Sequence, residues 1–385
     1  KSFYQKREDP TTLVDWGALY ALQGKEKLAN EKFKAAIREA KNNNRILAGV
    51  AHKLLKEKFY ASALEAYKLA KQLSNIASYS IQIANIHSYL GDIEKMYEEL
   101  VELVYTHPNY FQTCKNKLRI TINDDHENEN NKKLKKVLIK SIQKENSYKV
   151  SKMLVWLFMQ EKRFQDALDY EITIDKRISN NISDIINLGD ISLQNEDYET
   201  SNNCFEYVLE HSPKYSYFSE YSRLKMLDIQ FKNIQNNKII NAAQVKKIAS
   251  SYKDALDDLG VKSETINALK NYCSILLIYL NEPVQAINLL QHSIENTALD
   301  KHDVAICKME LASALLKQGE VWDATLIYAQ VEKEFKEDII GQKAKFQKTK
   351  ISYYNGDFEW AQTQLKVLKL STSKLIANNA MKLSL

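Results

Sequence analysis

Four lysines recur every fourth residue, Lys132, Lys136, Lys140 and Lys144, while Leu134, Leu138 and Ile142 recur on the opposite side. At 3.6 residues per turn this spacing predicts an amphipathic helix carrying a ridge of ammonium groups. Such a ridge could dock an acidic partner or make peripheral contact with an anionic membrane surface. It also suits the solvated outer face of a helix. From Lys132 to Arg163 there are ten basic against two acidic residues. No aromatics interleave with the ridge lysines, so a platform for single-stranded nucleic acid is not expected.

Just upstream lies "DDHENEN" (Asp124–Asn130), with four carboxylates and His126. A calcium loop needs a glycine at its tight turn and a regular alternation of ligands. Neither is present, so a solvated acidic loop is expected. The seven histidines show neither H-E-x-x-H nor paired-ligand spacing. His107 and His211 precede prolines at helix ends, where a cation complements the carbonyl end of the dipole. Cys114, Cys204, Cys273 and Cys307 stand singly among apolar residues and read as buried small residues. They do not fix a redox compartment. Nine glycines in 385 residues leave no glycine-rich phosphate loop. No catalytic residue, metal or cofactor is expected, and the chain reads as a non-enzyme.

The elements that carry these residues follow from composition and period. Nine Gly and four Pro are too few for a turn-rich β architecture and favour helices with short connections. The net charge of +5 is mild, and "YCSILLIYL" (Tyr272–Leu280) is too short to span a membrane. A pattern then recurs: a small residue, an aromatic or Leu four later, and a small or apolar residue three after that. It fits Ala29-Phe33-Ala36, Ala63-Tyr67-Ala70, Met96-Leu100-Leu103, Ser201-Phe205-Val208, Ala286-Leu290-Ser293, Ala324-Tyr328-Val331 and Ala361-Leu365-Leu368; Ala167-Glu171-Ile174 matches less well. The first three anchors are 34 and 33 residues apart, and Ala167 to Ser201 is again 34.

That period, with Trp16, Gly17 and Tyr20 before a turn at Gly24, resembles the tetratricopeptide repeat, a helix pair of about 34 residues. Small residues at Gly17 and Ala29 would let antiparallel helices cross closely. The 22 tyrosines fall mostly on packing positions. The expected fold is all-α: an α-solenoid, a right-handed superhelix of about ten hairpins. The expected domains are an N-terminal array over 1–215 with an irregular unit at 109–146, an irregular hairpin or bend at 216–260, and a C-terminal array over 261–385. One subgroup of the family clamps a peptide carboxylate with Lys and Asn on successive first helices. The matching positions here are Val14 and Ala18, then Gly49, then Ser78 and Gln82, so that clamp is absent. Val14 and Ala18 become candidates for an apolar contact surface at the start of the array.

Three segments, "GEVWDATLIYAQVEKEF" (Gly319–Phe335), "KAKFQKTKISYYNGDFEWAQTQLKVLK" (Lys343–Lys369) and "STSKLIANNAMKLSL" (Ser371–Leu385), resemble large tetratricopeptide proteins of Bacteroidota. The resemblance implies export to the periplasm and a role at the cell envelope. The expectation is a scaffold for protein partners, as a periplasmic subunit of an outer-membrane assembly or secretion machine; the alternative is a cytoplasmic adaptor or sensory regulator. In the last segment Ser371/Thr372 would cap a further helix. Its apolar residues Leu375, Ile376, Ala380, Met381 and Leu385 suggest an interior seam, covered by more chain or by a partner.

Overall fold

The computed structural model describes residues 9–74, 76–178, 181–236, 241–371 and 373–384. Among these residues every regular element is helical. Consecutive helices pack in pairs. The chain divides into two compact units, Lys1–Leu188 and Gly189–Leu385. The division falls upstream of the expected bend.

The first unit contains α1 (Pro10–Leu22), α2 (Glu26–Ala40), α3 (Asn44–Lys56), α4 (Tyr60–Leu73), α5 (Ala77–Tyr89), α6 (Ile93–Thr106), α7 (Phe111–Arg119), α8 (Glu129–Lys144), α9 (Tyr148–Gln160) and α10 (Phe164–Ile178). The division lies within α11 (Ile182–Gln194). The second unit continues with α12 (Tyr198–His211), α13 (Tyr217–Asn236), α14 (Ala242–Leu259) and α15 (Ile266–Ser274), which winds on as the π-helical stretch Ile275–Leu280. It closes with α16 (Pro283–Ile294), α17 (Lys301–Gln318), α18 (Val321–Glu334), α19 (Ile339–Tyr354), α20 (Phe358–Leu368) and α21 (Lys374–Leu383). Among the described residues these are 21 α-helices, and in the irregular unit at 109–146 α7 packs on α6 while α8 packs on α6 and α9, so that α7 and α8 do not form a packed hairpin. The irregular segment at 216–260 is the long hairpin α13–α14; residues 237–240 of its connection lie outside the described residues.

One turn geometry recurs. After α1, the Lys25 N–H donates to the Tyr20 carbonyl at 2.9 Å, and the Ala29 N–H donates to the Lys25 carbonyl at 3.1 Å. The same two bonds form at Phe59→Leu54 with Ala63→Phe59, and at Asp92→His87 with Met96→Asp92. They recur at Arg163→Phe158 with Ala167→Arg163, and at Asp197→Ser192 with Ser201→Asp197. Glu320→Leu315 with Ala324→Glu320 and Asp357→Ser352 with Ala361→Asp357 complete the set. Just inside each closing bond is one residue at positive φ: Gly24, Lys58, Gly91, Lys162, Glu196, Gly319 or Gly356. This is a Schellman-type C-cap, and the residue that closes it also starts the next helix. The turn therefore fixes the position of the small anchor four residues on. A left-handed conformation costs a residue with a Cβ roughly 1 kcal/mol. Lys58→Gly should accordingly raise stability by about 0.5–1 kcal/mol, read as a higher urea midpoint; an unchanged or lower midpoint would refute the strain.

All the anchor residues are buried. Phe33, Tyr67, Phe205 and Tyr328 fill the space between helices, each aromatic contributing about 2–3 kcal/mol by burial. Close crossing is visible at Gly17, where an added Cβ would meet the Phe33 ring at 2.3 Å, and at Gly189, whose carbonyl accepts the Ser201 hydroxyl at 2.8 Å. The tyrosines divide. Tyr97, Tyr252 and Tyr328 are fully buried, while Tyr89, Tyr215, Tyr217 and Tyr354 are exposed.

The poorest match to the pattern is also buried: Glu171 is 3% exposed. A carboxylate at that depth needs partners. Lys152 Nζ on α9 lies 2.5 Å from Glu171 Oε2 and 2.6 Å from Asp184 Oδ2 on α11. Asn181 Nδ2 donates to the same Glu171 carboxylate and to the Glu171 carbonyl, and Asn181 Oδ1 accepts from Lys152 at 2.6 Å. Burial pushes the Glu171 carboxyl up, against the pull of Lys152 and Asn181. A charged pin thus joins α9, α10 and α11 where other hairpins use an aromatic or leucine.

At the far end, α21 begins after Ser373; Ser371 Oγ accepts from the Ser373 N–H at 3.2 Å and also bonds Gln342. Ser371 is therefore two residues too early to be the cap, and Thr372 lies outside the described residues. Ile376 and Ala380 pack against Leu365 and Leu368. Leu375 and Met381 are exposed, and Leu385 is outside the described residues.

Candidate functional site

In the second unit, the first helices of successive hairpins line a recess of about 560 Å³. Its walls come from α11, α13 and α15, and Ile278 from the π-helical stretch closes one side. The Asp228 carboxylate lies on α13. Asn271 on α15 donates to Asp228 Oδ1 at 2.9 Å, and Asn271 also meets the buried Tyr252 hydroxyl at 3.4 Å. Burial raises the Asp228 carboxyl above the ordinary carboxylate range, against the fields of Lys225 and Lys232. Asp190 accepts the Tyr221 hydroxyl at 2.8 Å and faces Lys225 Nζ at 3.6 Å.

Two other lysines on these walls, Lys232 and Lys270, are exposed and have no ion-pair partner within 4 Å among the described residues. Around them stand the carboxamides of Gln194, Gln235, Asn267 and Asn271. Carboxamides donate and accept at once, which matches the alternating N–H and C=O of an extended main chain. The ammonium groups add a preference for carboxylates. Asp190 and Asp228 are both engaged by neighbours.

These residues escape the sequence reading. The clamp positions of the first three hairpins (Val14 and Ala18, Gly49, Ser78 and Gln82) carry no lysine, and the Lys and Asn of the recess lie further on. Lys232 on α13 and Lys270 with Asn271 on α15 are the sequence signal for the recess.

The residues singled out from sequence lie elsewhere. Val14 is 0% exposed and packs with Leu13, Phe33 and Leu47, so it belongs to the core and offers no contact surface. Ala18 is half-buried. The four ridge lysines are all exposed on α8, yet they are not equivalent. Lys132 pairs with Glu127 at 2.8 Å, and Lys136 pairs with Glu94 on α6 at 3.2 Å. Only Lys140 and Lys144 lack an ion-pair partner among the described residues.

The acidic loop is more structured than a solvated loop. Asp124 pairs with Lys162 at 3.0 Å. The loop closes over Asn131, which is fully buried and donates to the Asn123 carbonyl at 2.9 Å and to Glu161 at 3.1 Å. Among the described residues no group of three or more His, Cys, Asp or Glu could hold a metal ion. All four cysteines are buried, and none takes part in a disulfide. Burial pushes the Cys114 and Cys307 thiols up to about 12, which keeps them unreactive. His107 caps the end of α6, and His211 stacks on Tyr207 with its ring nitrogen 2.9 Å from the Tyr207 carbonyl. No described helix is long and apolar enough to cross a membrane.

The helix pairs, their turns and their buried anchors define an all-α array of tetratricopeptide type. No family model matches the sequence. No curated protein matches it either. Solved structures do show likeness. Yeast Tom70 aligns at 14% identity over 99% of this chain and 96% of its own, with a TM-score of 0.41. The human IFIT1 dimer with m7Gppp-AAAA aligns at 11% identity over 97% of this chain and 80% of its own, with a TM-score of 0.42. YrrB, described as a TPR protein with an unusual peptide-binding site, aligns at 14% identity over 55% of this chain and 97% of its own, with a TM-score of 0.34.

Proposed function

We propose that the chain is a non-enzymatic scaffold for protein partners, and that the recess between α11, α13 and α15 holds an extended peptide segment of one of them. The observation that carries this reading is the lining of the recess: carboxamides from the first helices of three successive hairpins beside Lys232 and Lys270, which lack ion-pair partners among the described residues. A partner segment would place its main chain on the carboxamides and an acidic side chain on the lysines.

The cellular setting we propose is the periplasm, as a subunit of an outer-membrane assembly or secretion machine. Its support is the resemblance carried by the segments Gly319–Phe335, Lys343–Lys369 and Ser371–Leu385. One experiment addresses both statements. Crosslinked pull-down from fractionated cells should recover an envelope protein with the wild-type chain and much less of it with Lys232→Glu combined with Lys270→Glu. Undiminished recovery by the double variant removes the recess from the account. Fractionation with the cytosol and cytosolic partners supports the adaptor alternative.

A further inference from the structure

A separate group of cations occupies the first unit. α7 carries Lys115, Lys117 and Arg119 and no acidic residue; α9 carries Lys149 and Lys152 and none. Two of these are engaged. Lys117 donates to Asn85 at 2.7 Å, and Lys152 belongs to the Glu171 pin. Lys115 and Lys149 have no ion-pair partner among the described residues. Their ammonium groups instead converge on one ring: each lies 5.5 Å from the centroid of Phe111. Lys115 also lies 5.6 Å from the Trp156 ring, and Lys149 lies 5.6 Å from Tyr148.

Both lysines are half-buried. Burial and the nearby Arg119 hold the Lys115 pKa below its ordinary value. Ring faces offset part of the lost hydration, at about 0.5–2 kcal/mol per contact. They supply no negative charge, and two ammonium groups sharing a ring repel each other. A carboxylate beside either ammonium would supply the missing counter-charge.

We propose that Lys115 and Lys149, joined through Phe111, form a receptor for the carboxylate side chains of an acidic segment in a partner protein. The rings decide against single-stranded nucleic acid. Trp156 is buried, and Phe111 and Tyr148 each have two lysines over the ring, whereas strand binding stacks successive bases on several open rings. The half-buried setting decides against a bilayer, which recruits clustered cations on an open surface. This site uses none of the residues of the recess in the second unit, and its test is separate.

The test titrates the full chain with a hexaglutamate peptide at low salt, by calorimetry and by tryptophan fluorescence, since Trp156 borders the site. Saturable binding is expected in the wild type. Lys115→Met with Lys149→Met should weaken it about tenfold or more, as should raising salt to about 0.3 M. Lys140→Met with Lys144→Met should leave it unchanged. Lys115→Gln with Lys149→Gln repeats the loss with polar side chains, and circular dichroism verifies the helical content of each variant. Absence of saturable binding in the wild type overturns the proposal. So does full binding by the Lys115/Lys149 variants, or tighter binding of a thymidine oligonucleotide or of phosphatidylserine vesicles than of the peptide.

Discussion

Glu171→Ala is expected to destabilise the first unit by about 3 kcal/mol, because removing one member of a buried ion pair leaves its partner without full compensation. Lys152 would keep Asp184 and Asn181, which limits the loss, but the Asn181 amide would lose its carboxylate acceptor. The informative comparison is Glu171→Leu with Lys152→Met. Other hairpins place Phe33, Tyr67, Leu100 or Phe205 at this position. Replacing a buried ion pair by apolar groups of similar size is often neutral or stabilising by about 1–4 kcal/mol. The double variant should therefore recover most or all of the stability lost by the single one. Urea denaturation of both variants decides the matter. A single variant as stable as wild type would show that the pin contributes nothing, and a double variant as weak as the single one would show that no apolar pair can replace it.

The second large effect is expected at Gly341, near the start of α19. A Cβ there would lie 1.9 Å from the Phe335 carbonyl oxygen and 2.6 Å from its carbon. Those atoms are backbone at the C-terminal cap of α18 and cannot swing aside as a side chain would. Gly341→Ala must push α18 and α19 apart, with an expected loss of about 3 kcal/mol. Gly49 supplies the control. It also lies inside a helix, but nothing stands within 4 Å of an added Cβ, so Gly49→Ala should stabilise by up to about 1 kcal/mol. Thermal or urea midpoints moving in opposite directions are the expected outcome. A neutral Gly341→Ala would mean that the crossing of α18 and α19 is looser than described.

Much of the fold is legible because it is written locally. A helix pair needs a small residue where the helices cross and a large one to fill the space beside it. Both lie within eight residues of the turn, so a period in sequence becomes a period in space. The acidic loop and the Glu171 pin are less legible because their energetics depend on charges far away in the chain. Glu171 meets Lys152 nineteen residues earlier, and Asp124 meets Lys162 thirty-eight later. No local pattern reports such pairs. Val14 shows another limit. A helix read from spacing has an apolar face, but packing decides which apolar residues lie beneath the surface, and Val14 lies wholly beneath it. The recess is illegible for a related reason: Lys232, Lys270 and Asn271 look like ordinary polar residues of a solvated helix until α11, α13 and α15 bring them around one cavity.

The recurring turn also bears on how the array can change over time. Because the turn itself sets the anchor, each hairpin restarts its helical phase. The same pair of bonds forms after the 13-residue α1 and after the 18-residue α17. Residues gained or lost ahead of a turn are therefore absorbed without altering the helix that follows. A single residue inserted between turn and anchor is different, since it rotates the anchor by about 100° and turns the packing face outward. Variation in length should collect on one side of each turn, and the chain can lengthen its hairpins, as in its second half, without giving up the contacts that stack them.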